Sequence, residues 1–315
     1  MWDSEGNHVI RYNTVLSDDA HQYNDIFGAG HNFSTRGFPN SDSDIYGNLL
    51  SHCWDDAIES EGANCNVRIW GNYITDAYVG VACASSSIGP FYVWRNITGT
   101  IRESPGKTSG AFLKTSDKMG GGRIYVFHNT ILQPTNSTHS NKTLGAVLGL
   151  GWGGPMTNVT SRNNILQVTR QAIADRTRSP RNDFDYDLFS ASITAAEGQE
   201  KHGLRGVPAF VPECGIRAGQ GVFALTAGSP GFDAGMVLPN FNDGFTGAAP
   251  DLGAHEAGSA PMEFGVDAYR AKRVRTTDAR NYIPPSEAQA GWRKPEKPDD
   301  IHRLAGEKVE LKELR

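Results

Sequence analysis

The four cysteines, Cys53, Cys65, Cys83 and Cys214, include no Cys-x-x-Cys pair. That absence removes the usual zinc-finger spacings, and buried thiols are expected in preference to disulfides. No apolar run approaches the roughly 20 residues that a membrane-spanning helix needs, so no membrane span is expected. The formal charge is −5 over 315 residues, which gives the chain as a whole no nucleic-acid signature. No signal-peptide pattern opens the sequence. It begins abruptly with "MWDSEGNHVIRYN", and the first coils of the repeat described next are expected to be missing. What is abundant is glycine, 36 residues, which favours a turn-rich β protein. At 38% hydrophobic the chain can bury one large core or two smaller ones.

A short strand that ends in Asn and continues with an apolar residue recurs six times. It reads "VIRYNTV" (Asn13), "DIYGNLL" (Asn48), "RIWGNYI" (Asn72), "YVWRNIT" (Asn96), "YVFHNTI" (Asn129) and "TSRNNIL" (Asn164), at spacings of 35, 24, 24, 33 and 35. A period in the twenties, lengthened by loops, is the signature of stacked solenoid coils. Asn tolerates the left-handed conformation of a tight corner, and stacked Asn amides extend a hydrogen-bonded ladder along the axis. A β-sandwich with Asn in ordinary turns is the alternative; six copies of one local pattern favour the solenoid. A second strand set lies between: "DAIESEG" (56–62), "VGVACAS" (79–85), "GAFLKTS" (110–116), "GAVLGLG" (145–151) and "QAIADRT" (171–177). Each coil therefore carries at least two strands, stacked about 4.8 Å apart.

These repeats resemble the right-handed parallel β-helix group, the pectate-lyase-like superfamily of mostly secreted bacterial proteins, over residues 7–177. The segment "LTAGSPGFDAGMVLPNFNDGFTGAAPDLGAHE" (225–256) is similar to an ending found in bacterial β-helix proteins. The resemblance implies an all-β fold and an extracellular or periplasmic location. Residues 1–177 are read as the β-helix body. Residues 178–258, rich in Gly, Pro and Asp, are read as an irregular segment that wraps an end or a flank, with Asp233, Asp243, Asp251 and Glu256 forming caps and turns. Residues 259–315 carry 12 Lys/Arg and 10 Asp/Glu and read as a solvated, Pro-interrupted tail.

The chemistry concentrates in "HCWDDAIESEG", where Asp55, Asp56, Glu59 and Glu61 fall within seven positions. Alternation along a strand puts Ile58 inward and Asp55, Glu59 and Glu61 toward solvent, with Asp56 at the corner. Oxygen ligands at this density suit Ca²⁺. "DDAIE" also resembles the Asp-Asp-x-x-Asp calcium motif of one pectate lyase family, with Glu in the last place; that family adds a ligand one coil earlier, for which Asp44 and Asp42 are the nearest acids. Lys114 in "SGAFLKTSD" resembles the lysine-bearing strand of the same lyases. It is the expected base, two strands or about 10 Å along the axis from the acids, across the small-residue strand "VGVACASSS". This role requires Ala111 and Leu113 inward, and an amine brought toward neutral pKa.

The segment 25–44 is expected over the same face, with His31 and Arg36 as further catalytic candidates. Glu61, Trp54 and Arg68 are substrate-binding candidates, and His128 is read as structural. The implied activity is Ca²⁺-assisted β-elimination on an acidic polysaccharide. A polygalacturonase-type hydrolase pairing Asp42 or Asp44 with Asp55 is the second reading. A non-catalytic rod binding sugars on Trp70, Trp94, Tyr92 or Trp152 is the third. The sequons at Asn32, Asn96, Asn136, Asn141 and Asn158 track the Asn/Thr content.

Overall fold

A computed structural model describes residues 4–28, 32–84, 86, 88–116, 120–133 and 146–277. The chain forms two compact units, Met1–Arg270 and Ala271–Arg315; the β-structure lies in the first. Coil one contributes β1 (Val9–Arg11) and β2 (Thr14–Val15). Coil two contributes β3 (Asp44–Tyr46) and β4 (Leu49–Glu59), and coil three β5 (Val67–Trp70) and β6 (Tyr73–Ala82). Coil four has β7 (Phe91–Trp94), β8 (Ile97–Thr98) and β9 (Ser109–Thr115), and coil five β10 (Ile124–Phe127), β11 (Thr130–Leu132) and β12 (Ala146–Gly153). Coil six has β13 (Val159–Arg162), β14 (Ile165–Gln167) and β15 (Gln171–Ala174), and coil seven β16 (Asp183–Asp185), β17 (Leu188–Phe189) and β18 (Ser192–Thr194).

Every pairing between successive coils is parallel, and equivalent strands stack to give a parallel β-helix. The coil has three faces. Strands β1, β3, β5, β7, β10, β13 and β16 form the first. The other two are joined because β4 and β6 run unbroken around the corner between them: the front of β6 pairs with β8 and its back with β9. Aligned apolar columns fill the interior, for example Ile45–Ile69–Val93–Val126 on one face and Ile58–Val81–Leu113–Leu150–Ile173 on another. All of these are fully buried.

The Asn repeat is a continuous ladder. Nδ2 of Asn13, Asn48, Asn72, Asn96 and Asn129 donates to Oδ1 of the next Asn along the axis at 2.9–3.0 Å. The backbone N–H of each donor residue reaches the same oxygen at 2.8–3.1 Å. The other Nδ2 proton of Asn48, Asn72, Asn96, Asn129 and Asn164 goes to a carbonyl of the preceding coil. The amides of Asn48, Asn72, Asn96, Asn129 and Asn164 are thus satisfied while fully buried. The left-handed residue at the corner is not the Asn itself but its predecessor: Tyr12, Gly47, Gly71, Arg95, His128 and Asn163 all have φ between 51° and 64°. The ladder ends one rung beyond the expected repeat, at Asp187, which accepts from Asn164 N and Nδ2 at 2.8 Å. Its predecessor Tyr186 has φ 60°. The stacked strands therefore run past residue 177, through coil seven to β19 (Leu204–Arg205), which pairs with β17.

Residues 204–264 cover the outer side of the second face. Phe223, Ala254 and Phe264 pack on Ile97, Leu49 and Tyr73, and Leu225 and Leu252 on Ile165 and Leu188. The segment includes a small antiparallel sheet of β20 (Gly215–Arg217), β21 (Gln220–Val222) and β22 (Met262–Glu263), followed by α1 (Gly265–Thr277). Its acids serve turns: Asp251 accepts from Asp233 N and Ala257 N, Glu256 from Thr246 N and Asp251 N, and Asp243 from Asn240 N. Buried His128 pins the segment to the body. Its Nδ1 donates to Gly253 O at 3.0 Å, and Nε2 accepts from Asn163 Nδ2 at 3.0 Å and Asn242 Nδ2 at 2.9 Å. This pattern is that of a neutral ring.

Asn96→Ala removes four buried hydrogen bonds and strands their partners. It is expected to lower unfolding free energy by at least about 3 kcal/mol, read as a shifted urea midpoint; an unchanged midpoint would show the ladder to be incidental. His128 carries the pH prediction. Burial and the nearby Arg95 charge push its pKa down to about 3 from 6.5, so below about pH 6.5 the unfolded chain takes up a proton that the native ring refuses. Stability contributed by the neutral ring is present above that pH and is lost as pH falls through the window, by about 1.4 kcal/mol per unit. Thermal melts across pH 7 to 4 should show a flatter decline for His128→Gln than for wild type.

Candidate functional site

The acidic motif lies on the back half of β4, just after the corner. The register slips between Cys53 and Asp56, and His52, at the turn, has φ 68°. This irregularity breaks the alternation read from the sequence. Ala57 and Ile58 both enter the core, while Asp56 is fully buried and Trp54 is 49% exposed.

A neighbouring strand from coil one adds a residue that the sequence reading missed. Phe27 bridges Ile58 in parallel, Ile26 N donates to Asp56 O, and Asp55 N donates to Asn24 O. These contacts set Asp25 beside Asp56, whose backbone N donates to Asp25 Oδ1 at 3.0 Å. One oxygen each from Asp25, Asp56 and Glu59 lie within 4.8 Å of one another. The acid one coil earlier is therefore Asp25. The signal was present in "DIF" (25–27), which aligns with "DAI" (56–58) when the apolar pairs are matched.

The expected solvent face is roofed. Asn32 Nδ2 donates to Glu59 Oε1 at 2.6 Å, Gly28 lies against the Glu59 side chain, and Gly37 against the Glu61 carbonyl. Ala63 N donates to Ser34 O. Glu59 is 8% and Glu61 2% exposed, which corrects their predicted solvent-facing placement; residues 25–28 and 32–40 fold over them. Half-buried Asp55 stays at the rim. Arg36 is exposed on the roofing segment. His31, Asn136 and Asn141 lie outside the described residues.

Lys114 reaches this cluster from coil four. Glu59, Ala82 and Lys114 stand in register on successive coils, and Ala82 ends at Cβ, which leaves a path for the lysine stem. Lys114 Nζ lies 2.5 Å from Asp56 Oδ2 and 3.0 Å from Glu61 Oε1. The contact to Glu61 is an ion pair without hydrogen-bond alignment, since Glu61 Oε1 has no hydrogen-bond partner. The strand places Leu113 inward as expected, but its companion in the main core is Phe112 and not Ala111. Phe112 and Leu113 share the main core, and Ala111 packs with Leu148, Ala174 and Trp152.

Desolvation dominates the electrostatics. Burial pushes Asp56 up to about 8 and Glu61 up to about 7, against the opposing pull of Lys114. Asp55 and Glu59 are raised for the same reason, the first opposed by Lys114 and the second mainly by its bond from Asn32. Burial alone would lower Lys114, but the two carboxylates outweigh it and raise its pKa, so the expected shift toward neutrality is reversed. Cys53 and Cys83, both buried beside the acids, are pushed up by desolvation and by Asp56 and Glu61 respectively. All four cysteines are free thiols.

Other expectations come apart. Asp44 and Arg68 sit on the first face, joined by a two-pronged ion pair at 2.7 and 2.8 Å; neither reaches the cluster. Asp42 accepts from Asn66 Nδ2 at 2.7 Å. The carboxylate pair of the hydrolase reading is therefore not assembled, because its members stand on different faces. Tyr46, Trp70 and Trp94 stack on one another at 4.1 and 5.5 Å, and Tyr92 on Tyr125 at 5.2 Å, so the flat surfaces a sugar would need are largely taken up by other rings. Asn96, in the buried ladder, is closed to glycosylation. No helix among the described residues is long and apolar enough to cross a membrane. The chain matches no protein-family model, no curated protein and no solved structure.

Lys114 holds two buried acids. Lys114→Met is expected to cost about 3–5 kcal/mol, the penalty for a broken buried pair, with partial recovery on adding Asp56→Asn; denaturant midpoints of the single and double variants give the comparison. Equal midpoints for wild type and Lys114→Met would refute the pairing.

Proposed function

We propose that this parallel β-helix, of pectate-lyase-like type, is a carbohydrate-active protein that cleaves an acidic, uronate-containing polysaccharide by β-elimination with the help of Ca²⁺, outside the cell or in the periplasm. The observation that carries the reading is the convergence of acids from two coils and one lysine from a third on a single flank. The likeness of "DDAIE" and "AFLKTS" to the lyase motifs supports it.

The residues present fit a hard cation. Asp25, Asp56 and Glu59 offer carboxylate oxygens only, and Asp56 Oδ1 is buried without a hydrogen-bond partner, an arrangement that favours a further positive charge. Asp25, Asp56 and Glu59 would hold the cation, with Asn32 orienting Glu59, and when bound it would supply a positive charge for a uronate carboxylate and for the charge that develops beside it. Lys114 is the basic residue for the proton next to the uronate carboxylate. Its ammonium must first give up a proton, and Asp56 Oδ2 at 2.5 Å is the nearest acceptor. Glu61 positions the amine from the other side, and exposed Trp54 offers a ring to a sugar at the rim.

Incubation with polygalacturonate should release unsaturated uronate ends, detected by their ultraviolet absorbance. Chelator should abolish the signal, and Asp25→Asn, measured with excess Ca²⁺, should reduce the rate about 10²-fold or more. Asp44→Asn, on another face, should leave it unchanged. Binding without product in every acidic polysaccharide tried would replace this reading with a saccharide-binding rod. Reducing ends without unsaturation would replace it with a hydrolase.

A further inference from the structure

Strand β15 and the turn after it lie in the sequence "TRQAIADRTRSPRND", whose arginines have no acidic partners among the described residues. Arg170, Arg176, Arg178 and Arg181 are all exposed. Among the described residues none of their guanidinium groups makes an ion pair or a side-chain hydrogen bond; neighbouring Arg162, by contrast, is paired with Asp183 at 2.7 Å. Arg176, Arg178 and Arg181 fall within six positions of the turn after β15, and like charges so close in the chain repel one another.

The turn that presents them is firmly built. Asp175 is fully buried, and its carboxylate is consumed within the turn. Oδ1 accepts from Thr177 Oγ1 at 2.9 Å, and Oδ2 from Ser179 N at 2.9 Å and Asn182 Nδ2 at 2.8 Å. Asn182 Nδ2 also donates to Met156 O at 3.0 Å. Asp175 therefore orders the turn without neutralising the arginines, and Arg178 takes φ 50°.

Arg176 and Thr177 also line a cavity of about 460 Å³, together with Trp152, Gly151, Gly153 and Gly154. Trp152 is paired in register with Lys114, and a Cβ on Gly153 would lie 3.1 Å from Lys114 Cγ. The glycines thus keep the wall low beside the lysine, and the cavity continues its flank toward later coils. Arg176 follows a strand two coils beyond Lys114, about 10 Å along the axis.

We infer that this cavity and the arginine turn form a binding subsite for an acidic oligosaccharide, in which Trp152 packs on a sugar ring and Arg176, with Arg178 beside it, pairs with uronate carboxylates. A guanidinium grips a carboxylate through two parallel hydrogen bonds, and an indole offers a flat apolar surface to a pyranose. The two together select a carboxylated sugar over a neutral glycan or a bare polyanion. The inference rests on the proposed function for the direction in which the polymer lies, but binding is measured separately from cleavage.

The test is calorimetric titration of the full chain with a galacturonate hexamer, in chelator so that turnover is suppressed. Inorganic polyphosphate, a polyanion without sugar or carboxylate, and a neutral galactan oligomer serve as comparisons. The double variant Arg176→Ala/Arg178→Ala is expected to bind the hexamer about tenfold or more weakly, the loss of about one desolvated ion pair. Raising salt should weaken wild type more than the variant. Trp152→Ala, checked by circular dichroism and accompanied by Trp152→Phe, should weaken the hexamer, and the phenyl ring should restore part of the loss. Wild-type affinity in the double variant overturns the subsite. Polyphosphate binding as tight as the hexamer and indifferent to Trp152 overturns it too, leaving a charge patch. Weakened binding in these variants together with a wild type that never forms unsaturated product keeps the subsite and rejects the lyase reading.

Discussion

The asparagine ladder is the constraint from which the rest of the molecule follows. An Asn amide carries two donors and an acceptor that takes two bonds. Inside a coil stack all of these are met only if the next Asn lies one rung away in the same orientation. A slip of one residue would bury unpaired amide groups at a cost of about 1–3 kcal/mol each. The ladder therefore fixes the register of the first face and, through the left-handed residue before each Asn, the direction in which every coil turns. Apolar columns add far more stabilisation but tolerate small shifts; the amides do not.

Register on one face propagates to the others. Because β4 and β6 continue around the corner without a break, the stacking set at Asn48 and Asn72 carries to Asp56, Glu59 and Ala82. The cluster inherits its geometry from residues that never touch it. The slip between Cys53 and Asp56 is then a local departure in an otherwise repeating pattern. It turns Trp54 outward and sinks Asp56, so two residues that alternation would put on one face acquire opposite environments. A regular strand would place carboxylates in solvent, where they interact weakly; this one concentrates them where each charge is felt strongly.

The solenoid was legible because its signal is a repeat, and repetition survives ignorance of any single contact. Six Asn copies were enough to identify the fold. Asp187 escaped because the last rung exchanges the amide for a carboxyl, and with it the boundary at residue 177 came too early. Within the site, Asp55, Asp56, Glu59, Glu61 and Lys114 were readable from local motifs. Their environments were not, since alternation assumes a regular strand and the roof comes from residues 25–28 and 32–40, a separate stretch of chain. Asp25 was hidden for the same reason: its partner lies 31 positions away, and its strand is too short to show a period. Asp44 and Arg68 were misplaced because proximity in sequence to the motif does not decide which of three faces a residue occupies.

The end of the ladder shows what the repeat demands where it stops. Asn164 must donate to something, and Asp187 supplies two oxygens, which also receive Ser161 Oγ. An eighth rung would have brought an amide oxygen for the backbone N–H of residue 187, as each earlier rung does for the one before it. Glu200 fills that place: its Oε2 accepts from Asp187 N at 3.3 Å. Burial raises the pKa of both acids, and the Asp187 charge adds to the rise at Glu200. β19, paired on Leu188 and Phe189, covers the strand edge that remains. A polar ladder can terminate inside a protein only when the donors of its last rung are met, and here a carboxyl group takes the last backbone N–H without continuing the stack.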